Sequence, residues 1–181
     1  FDVFGAALKL YNNVEVNTVK ALAGKKPELK DIINIEARAG DKKDSPQSFE
    51  GIKNLVRKSV FEAVKEFKLQ RGIIQSYSSV NIILTNNAPL ARGLGSSASA
   101  ITGAVYSAGT LGGAAIPVDK LWALACRIEG HPDNITPAFF GGFCVAVSSG
   151  DEFDYVKLEI PAGLKAVLCV PDFGMSTEAA R

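Results

Sequence analysis

The sequence predicts a mixed α/β domain, and two patterns decide it. Val80, Ile82 and Leu84 alternate with oppositely facing residues in a β-rich run, whereas Ile52, Leu55, Val56, Val60, Ala63, Val64 and Phe67 recur at helical spacing. The β-rich run then passes through a glycine- and serine-rich loop straight into a helix of small residues, so strand, loop and helix form one unit. With 181 residues, 47% of them hydrophobic, the chain can bury one substantial core and is expected to form a single compact domain or most of one.

Taken in order, Val14 and Val16 after Asn12-Asn13 predict a strand leaving a turn, and residues 31–37 predict a second strand. The Lys/Asp-rich stretch 40–46 reads as a solvated loop. Ser48 is expected to cap the helix that carries Ile52 to Phe67, with Lys53, Arg57, Lys58, Glu62, Lys65 and Glu66 forming its solvated side. Past the glycine-rich loop, Ala98, Ala100, Gly103, Ala104, Ser107 and Ala108 would let a helix pack closely against a sheet or another helix, which predicts a buried central helix. A further helix is expected from Pro117 to about Glu129, followed by strands at 142–147, 155–160 and 165–170. No internal repeat or low-complexity linker interrupts this order.

Several function classes lose support on composition. Twenty basic against nineteen acidic residues leave no large positive field, so neither nucleic acid nor an anionic membrane is favoured as a partner. The run 93–118 is uncharged but crowded with Gly, Ser, Thr and Ala rather than Leu, Ile and Phe, which argues against a membrane span. Cys126, Cys144 and Cys169 are odd in number, widely spaced and set among apolar residues, a pattern that fits reduced core thiols and a cytoplasmic protein. No signal peptide is visible, and Phe1 in place of an initiator methionine suggests that the chain begins inside a longer one.

The loop Pro89-Leu90-Ala91-Arg92-Gly93-Leu94-Gly95-Ser96-Ser97-Ala98-Ser99 is built to hold phosphate. A helix N-terminus presents unpaired backbone N–H groups and a partial positive charge. Gly93 and Gly95 allow conformations and approach distances that a Cβ would obstruct, and Ser96, Ser97 and Ser99 add hydroxyls for phosphate or for a magnesium shell. A plain capped turn would use the same residues. A Walker-type loop is excluded, because Gly95 rather than lysine precedes Ser96. Gly93-x-Gly95-x-x-Ala98 does satisfy the dinucleotide-binding fingerprint, but that fold wants an acidic residue about 20 positions on, where this chain has no charge.

A second chemical cluster is Glu129-Gly130-His131-Pro132-Asp133-Asn134. Gly130 stops the preceding helix and Pro132 forbids its continuation, so His131, Asp133 and Asn134 are displayed on a rigid turn. By itself this could be a helix end with a stabilising histidine and an Asp/Asn turn. Beside a phosphate loop it gains another meaning. Magnesium bound to nucleotide phosphates takes only one or two protein oxygens, and a loop serine with Glu129 would supply them.

These segments, with the following Pro137-Ala138-Phe139-Phe140-Gly141-Gly142, the opening Phe1-Asp2-Val3-Phe4-Gly5, and Pro171-Asp172-Phe173 with Ser176-Thr177 and Ala180-Arg181, resemble the GHMP small-molecule kinases and, among them, the homoserine kinases. The motifs stand in the family's order and span the chain. The resemblance implies an α+β two-layer domain of the ribosomal protein S5 domain 2-like fold, with residues 1–160 as the GHMP N-terminal ATP-binding domain lacking its first strand and 161–181 as the truncated start of the C-terminal domain. It implies transfer of the γ-phosphoryl group of ATP, with Mg2+, to the side-chain hydroxyl of L-homoserine, giving O-phospho-L-homoserine for threonine biosynthesis. Carried over by position, the loop from Pro89 to Ser99 would hold ATP, Ser97 and Glu129 would bind magnesium, and Ser96 would lie on the phosphates. Asp2, His131 and Asn134 would surround the homoserine amine and hydroxyl, with Thr177 nearby and Arg181 facing the carboxylate.

Asp2 and Arg181 are a complementary pair for the two charges of an amino acid, and arginine can grip a carboxylate with two hydrogen bonds. The resemblance also implies a contrast, since several GHMP kinases are described with a catalytic aspartate near the place where this chain has Asn134. A neutral amide cannot accept a proton at ordinary pH, so Asn134 is expected to position the hydroxyl, with the proton leaving to a phosphate oxygen or through water. The family is often dimeric, which implies a possible homodimer. The family's opening strand and C-terminal half are missing from this chain, so the fragment alone is expected to bind nucleotide poorly and not to turn over. The competing expectations are a mevalonate- or sugar-type GHMP kinase, a dinucleotide-binding oxidoreductase domain, and an inactive fragment serving as an interaction module.

Overall fold

The computed structural model describes residues 2–22, 27–40, 46–113, 115–161, 163 and 165–170, with the side chains of residues 2 and 46–48 left out. Twelve elements are described: β1 (Asp2–Ala6), β2 (Asn13–Lys20), α1 (Leu29–Ile32), β3 (Ile33–Ala39), α2 (Pro46–Glu66), α3 (Gln70–Ser76), β4 (Tyr77–Asn86), α4 (Ser96–Leu111), α5 (Val118–Glu129), α6 (Ile135–Phe140), β5 (Phe143–Ser149) and β6 (Glu152–Leu158). They form a mixed α/β fold with two three-stranded sheets, ordered β2-β4-β3 and β1-β5-β6. In the first, β4 pairs antiparallel with β2 and parallel with β3; the second is antiparallel throughout.

Period-two alternation places β4. Val80, Ile82 and Leu84 are fully buried, while Asn81, Ile83 and Thr85 lie on the opposite face. The same phase carries one step further and buries Asn86 at the strand's end. Helix α4 packs against α2, α5, α6 and both β2 and β4. Ala98, Ala100, Ile101, Ala104, Val105 and Ala108 have no exposed surface at all, as the small-residue pattern predicts for a central helix. Gly103 shows how close the approach is: a Cβ there would stand 2.4 Å from Val14 Cγ2 of β2.

An aromatic cluster joins the second sheet to the helices. Tyr155 of β6 lies 4.2 Å from Phe140 of α6, ring centre to ring centre, and 4.9 Å from Trp122 of α5. The Trp122 indole N–H donates to Thr136 Oγ1 at 3.2 Å, and that hydroxyl donates to the Pro132 carbonyl at 2.6 Å. The packing core thus reaches the turn that carries His131, Asp133 and Asn134.

The structure corrects several sequence expectations. Residues 31–32 belong to the short helix α1, and the strand runs Ile33–Ala39, since Ile33 is where pairing with Val80 begins. Helix α2 begins at Pro46, whose fixed φ suits a first helical turn, so Ser48 lies inside the helix rather than at its cap. Residues 41–45 of the expected loop lie outside the described residues. Strand β6 is Glu152–Leu158, displaced toward the turn at Gly150 that sets its register with β5. Residues 165–170 form no strand: Val167 is 95% exposed, and an apolar run that pairs with no strand among the described residues does not make a sheet. Cys169 is exposed too, whereas Cys126 and Cys144 are buried thiols as expected. The strand β1 and the helices α3 and α6 are additional to the elements expected.

Burial pushes the Cys126 thiol up to about 12, with Arg127 lowering it and Asp133 and Glu129 raising it further. The reactive thiolate is therefore scarce at neutral pH. An aqueous thiol reagent added to the native 181-residue chain should label Cys169 and leave Cys126 and Cys144 untouched until denaturant is added; mass spectrometry of the labelled peptides reads the order directly.

Candidate functional site

Two helix ends meet at the glycine-rich loop. Helix α4 starts at Ser96 behind Gly95, which adopts φ +70° and ψ 26°, the left-handed conformation that glycine adopts without penalty. Gly93 has the same positive φ, and a Cβ built there would meet nothing within 4 Å, so its outer side is open. No side chain caps α4, which leaves its N-terminal N–H groups to a ligand or to water. From the other side arrives the C-terminal end of α5, closed by Gly130 at φ +90°.

At this junction Ser97 Oγ donates a 2.8 Å hydrogen bond to Glu129 Oε2. The carboxylate sits at the negative pole of its own helix, an unfavourable place, and is offset by the positive pole of α4. Ser97 and Glu129, 32 positions apart in sequence, are thereby brought into direct contact. Two hard oxygens converging at a helix N-terminus fit magnesium coordination. Among the described residues there is no cluster of three or more His, Cys, Asp or Glu able to hold a metal ion, so this is not a closed all-protein cage.

The turn after α5 packs directly on the loop. A Cβ at Gly95 would lie 3.6–3.8 Å from Cβ, Oδ1 and Cγ of Asn134, so the Asn134 amide stands over the glycine. Asp133 Oδ1 accepts from the backbone N–H of Asn134 at 2.7 Å and from His131 Nδ1. That bond fixes the histidine tautomer: with Nδ1 donating, a neutral ring carries its lone pair on Nε2. Strand β1 closes the cluster from below, since a Cβ on Gly5 would fall 2.4 Å from the Asp133 carbonyl oxygen. Asp2 stands at the start of that strand, paired with Val147; its side chain is outside the described residues, as are Thr177 and Arg181.

The remaining loop residues divide by role. Ser96 turns its hydroxyl inward, donating at 3.1 Å to the carbonyls of both Ala88 and Pro89, so Ser97 is the serine that faces Glu129. Ser99 donates to the Ser96 carbonyl. Ala91 holds a positive φ of 53°, and Arg92 curls back toward the carbonyls of Leu90 and Ala91 at 3.4 and 3.3 Å. Pro89 and Leu90 are half-buried at the loop's entry, Leu94 is half-buried, and Ala98 is wholly buried in the first turn of α4. A surface groove of about 890 Å³ between α1, α2 and α3 shares none of these residues.

Sequence reasoning missed three asparagines. Asn12, Asn86 and Asn87 form a hydrogen-bonded knot at the loop's entry. One signal was available: the inward phase of Val80, Ile82 and Leu84 continues to Asn86, and a buried amide must have partners.

Residues 54–142 match the family model for the GHMP kinases N terminal domain, and the chain belongs to the GHMP kinases, whose N-terminal domain it carries. Its relatives include homoserine kinases. It is 39% identical over 184 residues to the homoserine kinase of Caldicellulosiruptor bescii and 37% identical over 181 residues to that of Synechocystis, in both cases across 100% of this chain. It spans about half the length of these curated relatives, 52% and 54%. The crystal structure of homoserine kinase from Cytophaga hutchinsonii aligns with a TM-score of 0.55 and 29% identity over 82% of this chain and 42% of that one.

The two glycines at the site should respond to alanine for different reasons. At Gly95 the new Cβ finds ordinary contact distances, so backbone strain dominates, at about 1 kcal/mol. At Gly5 the obstacle is a backbone carbonyl that must move, and overpacking of this kind costs about 1–3 kcal/mol. Urea denaturation of both variants should show Gly5→Ala the more destabilised.

Proposed function

We propose that the intact protein transfers the γ-phosphoryl group of ATP to the side-chain hydroxyl of L-homoserine, yielding O-phospho-L-homoserine for threonine biosynthesis. The observation that carries this reading is the Ser97–Glu129 hydrogen bond at an uncapped helix N-terminus, with Asn134 against the adjoining glycine. Its supports are the homoserine kinase relatives at 37–39% identity.

In this reading the N–H groups opening α4 bind phosphate oxygens, and Gly93 and Gly95 admit them to backbone distance. Ser97 and Glu129 would hold Mg2+. Magnesium bound between protein and phosphates would neutralise charge on the transferring group. Glu129 needs such a cation beside it, because an unaccompanied phosphate would meet its carboxylate with repulsion. Asn134 orients the acceptor hydroxyl without taking its proton, which leaves to a phosphate oxygen or through water. His131 is held by Asp133 to present Nε2. Asp2, Thr177 and Arg181 are the proposed contacts to the amino acid, the aspartate for its ammonium group and the arginine for its carboxylate.

Calorimetric titration of the full-length protein with ATP–Mg2+ and L-homoserine, joined to a phosphorylation panel of homoserine, mevalonate and sugars, tests the reading; turnover of mevalonate or a sugar in preference to homoserine would reassign the substrate. Glu129→Gln should weaken ATP binding tenfold or more in Mg2+, yet leave it equal or tighter in EDTA, where the lost carboxylate had only repelled phosphate. A pH–rate profile supplies a separate check on Asn134: Asp133→Asn should lower the rate without abolishing an ionisation, and loss of an essential carboxylate pKa in that variant would make Asp133 the base.

A further inference from the structure

We infer that Asn12 is a positioning residue for nucleotide binding, one side chain that staples the two ends of the phosphate loop together. The inference rests on the loop's reading as a phosphate site, and it adds a residue that touches neither nucleotide nor amino acid. Asn12 lies between β1 and β2, far from the loop in sequence. Its Oδ1 accepts from the backbone N–H of Asn87 at 2.7 Å and of Ala88 at 3.0 Å, which are the residues entering the loop. Its Nδ2 donates at 2.7 Å to Ser99 Oγ, in the first turn of α4 where the loop ends, and at 2.7 Å to Asn86 Oδ1.

The amide thus uses both of its donors and both of its acceptor positions, which is its full capacity. Its partners are themselves locked. Asn86 is buried and donates to the Ala88 carbonyl at 2.6 Å, and Asn87 Nδ2 donates to the Tyr11 carbonyl at 2.6 Å. Ser96, donating to the carbonyls of Ala88 and Pro89, forms a second tie across the same neck. Between these ties, residues 90–95 contain the positive-φ residues Ala91, Gly93 and Gly95, a conformation that a free loop would populate only in part. A closed neck holds the loop in its ligand-ready shape before the ligand arrives, and the ordering cost is then not charged against binding. A side chain of different shape could not do this: aspartate lacks the two donors, and alanine lacks all four bonds.

The test compares wild type with Asn12→Ala in the full-length protein. In the absence of ligand, hydrogen exchange of the loop segment 87–95 should quicken at least tenfold while α2 exchanges as before. In steady-state assays KM for ATP should rise about tenfold with KM for homoserine within twofold of wild type, a split that general destabilisation does not produce. Unchanged loop exchange, an unchanged KM for ATP, or an equal rise in both KM values overturns the inference. Should Asn12→Ala fail to fold, Ser99→Ala removes the tie to α4 together with the Ser99 bond to the Ser96 carbonyl; faster exchange of segment 87–95 without ligand and a rise of about threefold in KM for ATP are then expected, and unchanged exchange or no rise overturns the inference. Wild-type protein that binds no ATP–Mg2+ would instead overturn the phosphate-site reading itself, a result distinct from a wild type that binds and a variant that binds equally well.

Discussion

The close packing of α4 is the constraint on which the rest of the structure depends. A helix surrounded by α2, α5, α6 and the β2-β4-β3 sheet must present small side chains at its contacts, and it does so through Ala98, Ala100, Gly103, Ala104 and Ala108. A helix so enclosed cannot slide or tilt without opening voids or clashes along its length. Its N-terminus is consequently a fixed point, and a fixed pole of positive charge is what a phosphate site requires. Helix propensity explains little of this sequence, since Gly, Ser and Thr recur through the helix, and tertiary packing supplies what propensity lacks.

The second organising feature is electrostatic. Glu129 occupies the C-terminal end of α5, where a carboxylate opposes the helix dipole, and it is oriented by Ser97 at the opposite pole of a neighbouring helix. Neither residue is well explained by folding stability alone: a lysine or arginine at 129 would suit α5 better. The pairing fits the proposed site, in which a divalent cation would be held between the protein and an anionic ligand. The neighbouring Cys126, with its thiol raised to about 12 by burial, adds no charge of its own near Glu129 at neutral pH.

Much of the fold was legible in the sequence, and the parts that were not have identifiable reasons. The alternation of Val80, Ile82 and Leu84, the periodicity of Ile52 to Phe67 and the small-residue stripe of α4 each repeat a spacing often enough to define an element. Residues 29–32, 70–76 and 135–140 make helices too short to build a period, so tertiary contacts decide them. At 165–170 an apolar run was present but among the described residues no strand pairs with it, and a β-pattern is a statement about a neighbour as much as about the segment. Within the site, Ser97, Glu129, His131 and Asn134 stood out because loop and turn chemistry exposes them; the Asn12 knot stayed hidden because hydrogen bonds spanning 74–87 positions leave no local pattern.

Asparagine at 134 fits the charge balance of this arrangement better than a carboxylate would. Glu129 already places one negative charge at the mouth of α4, and the Asp133 carboxylate is turned to His131 and to the Asn134 backbone N–H. A further carboxylate over Gly95 would stand among these charges and, in the proposed function, beside an incoming triphosphate, where like charges raise one another's pKa values and repel the ligand. An amide at the same position retains a donor and an acceptor for a hydroxyl and adds no charge. In the proposed phosphoryl transfer, whose loose transition state would draw on alignment and charge neutralisation far more than on a strong base, that exchange of basicity for electrostatic tolerance would favour the reaction.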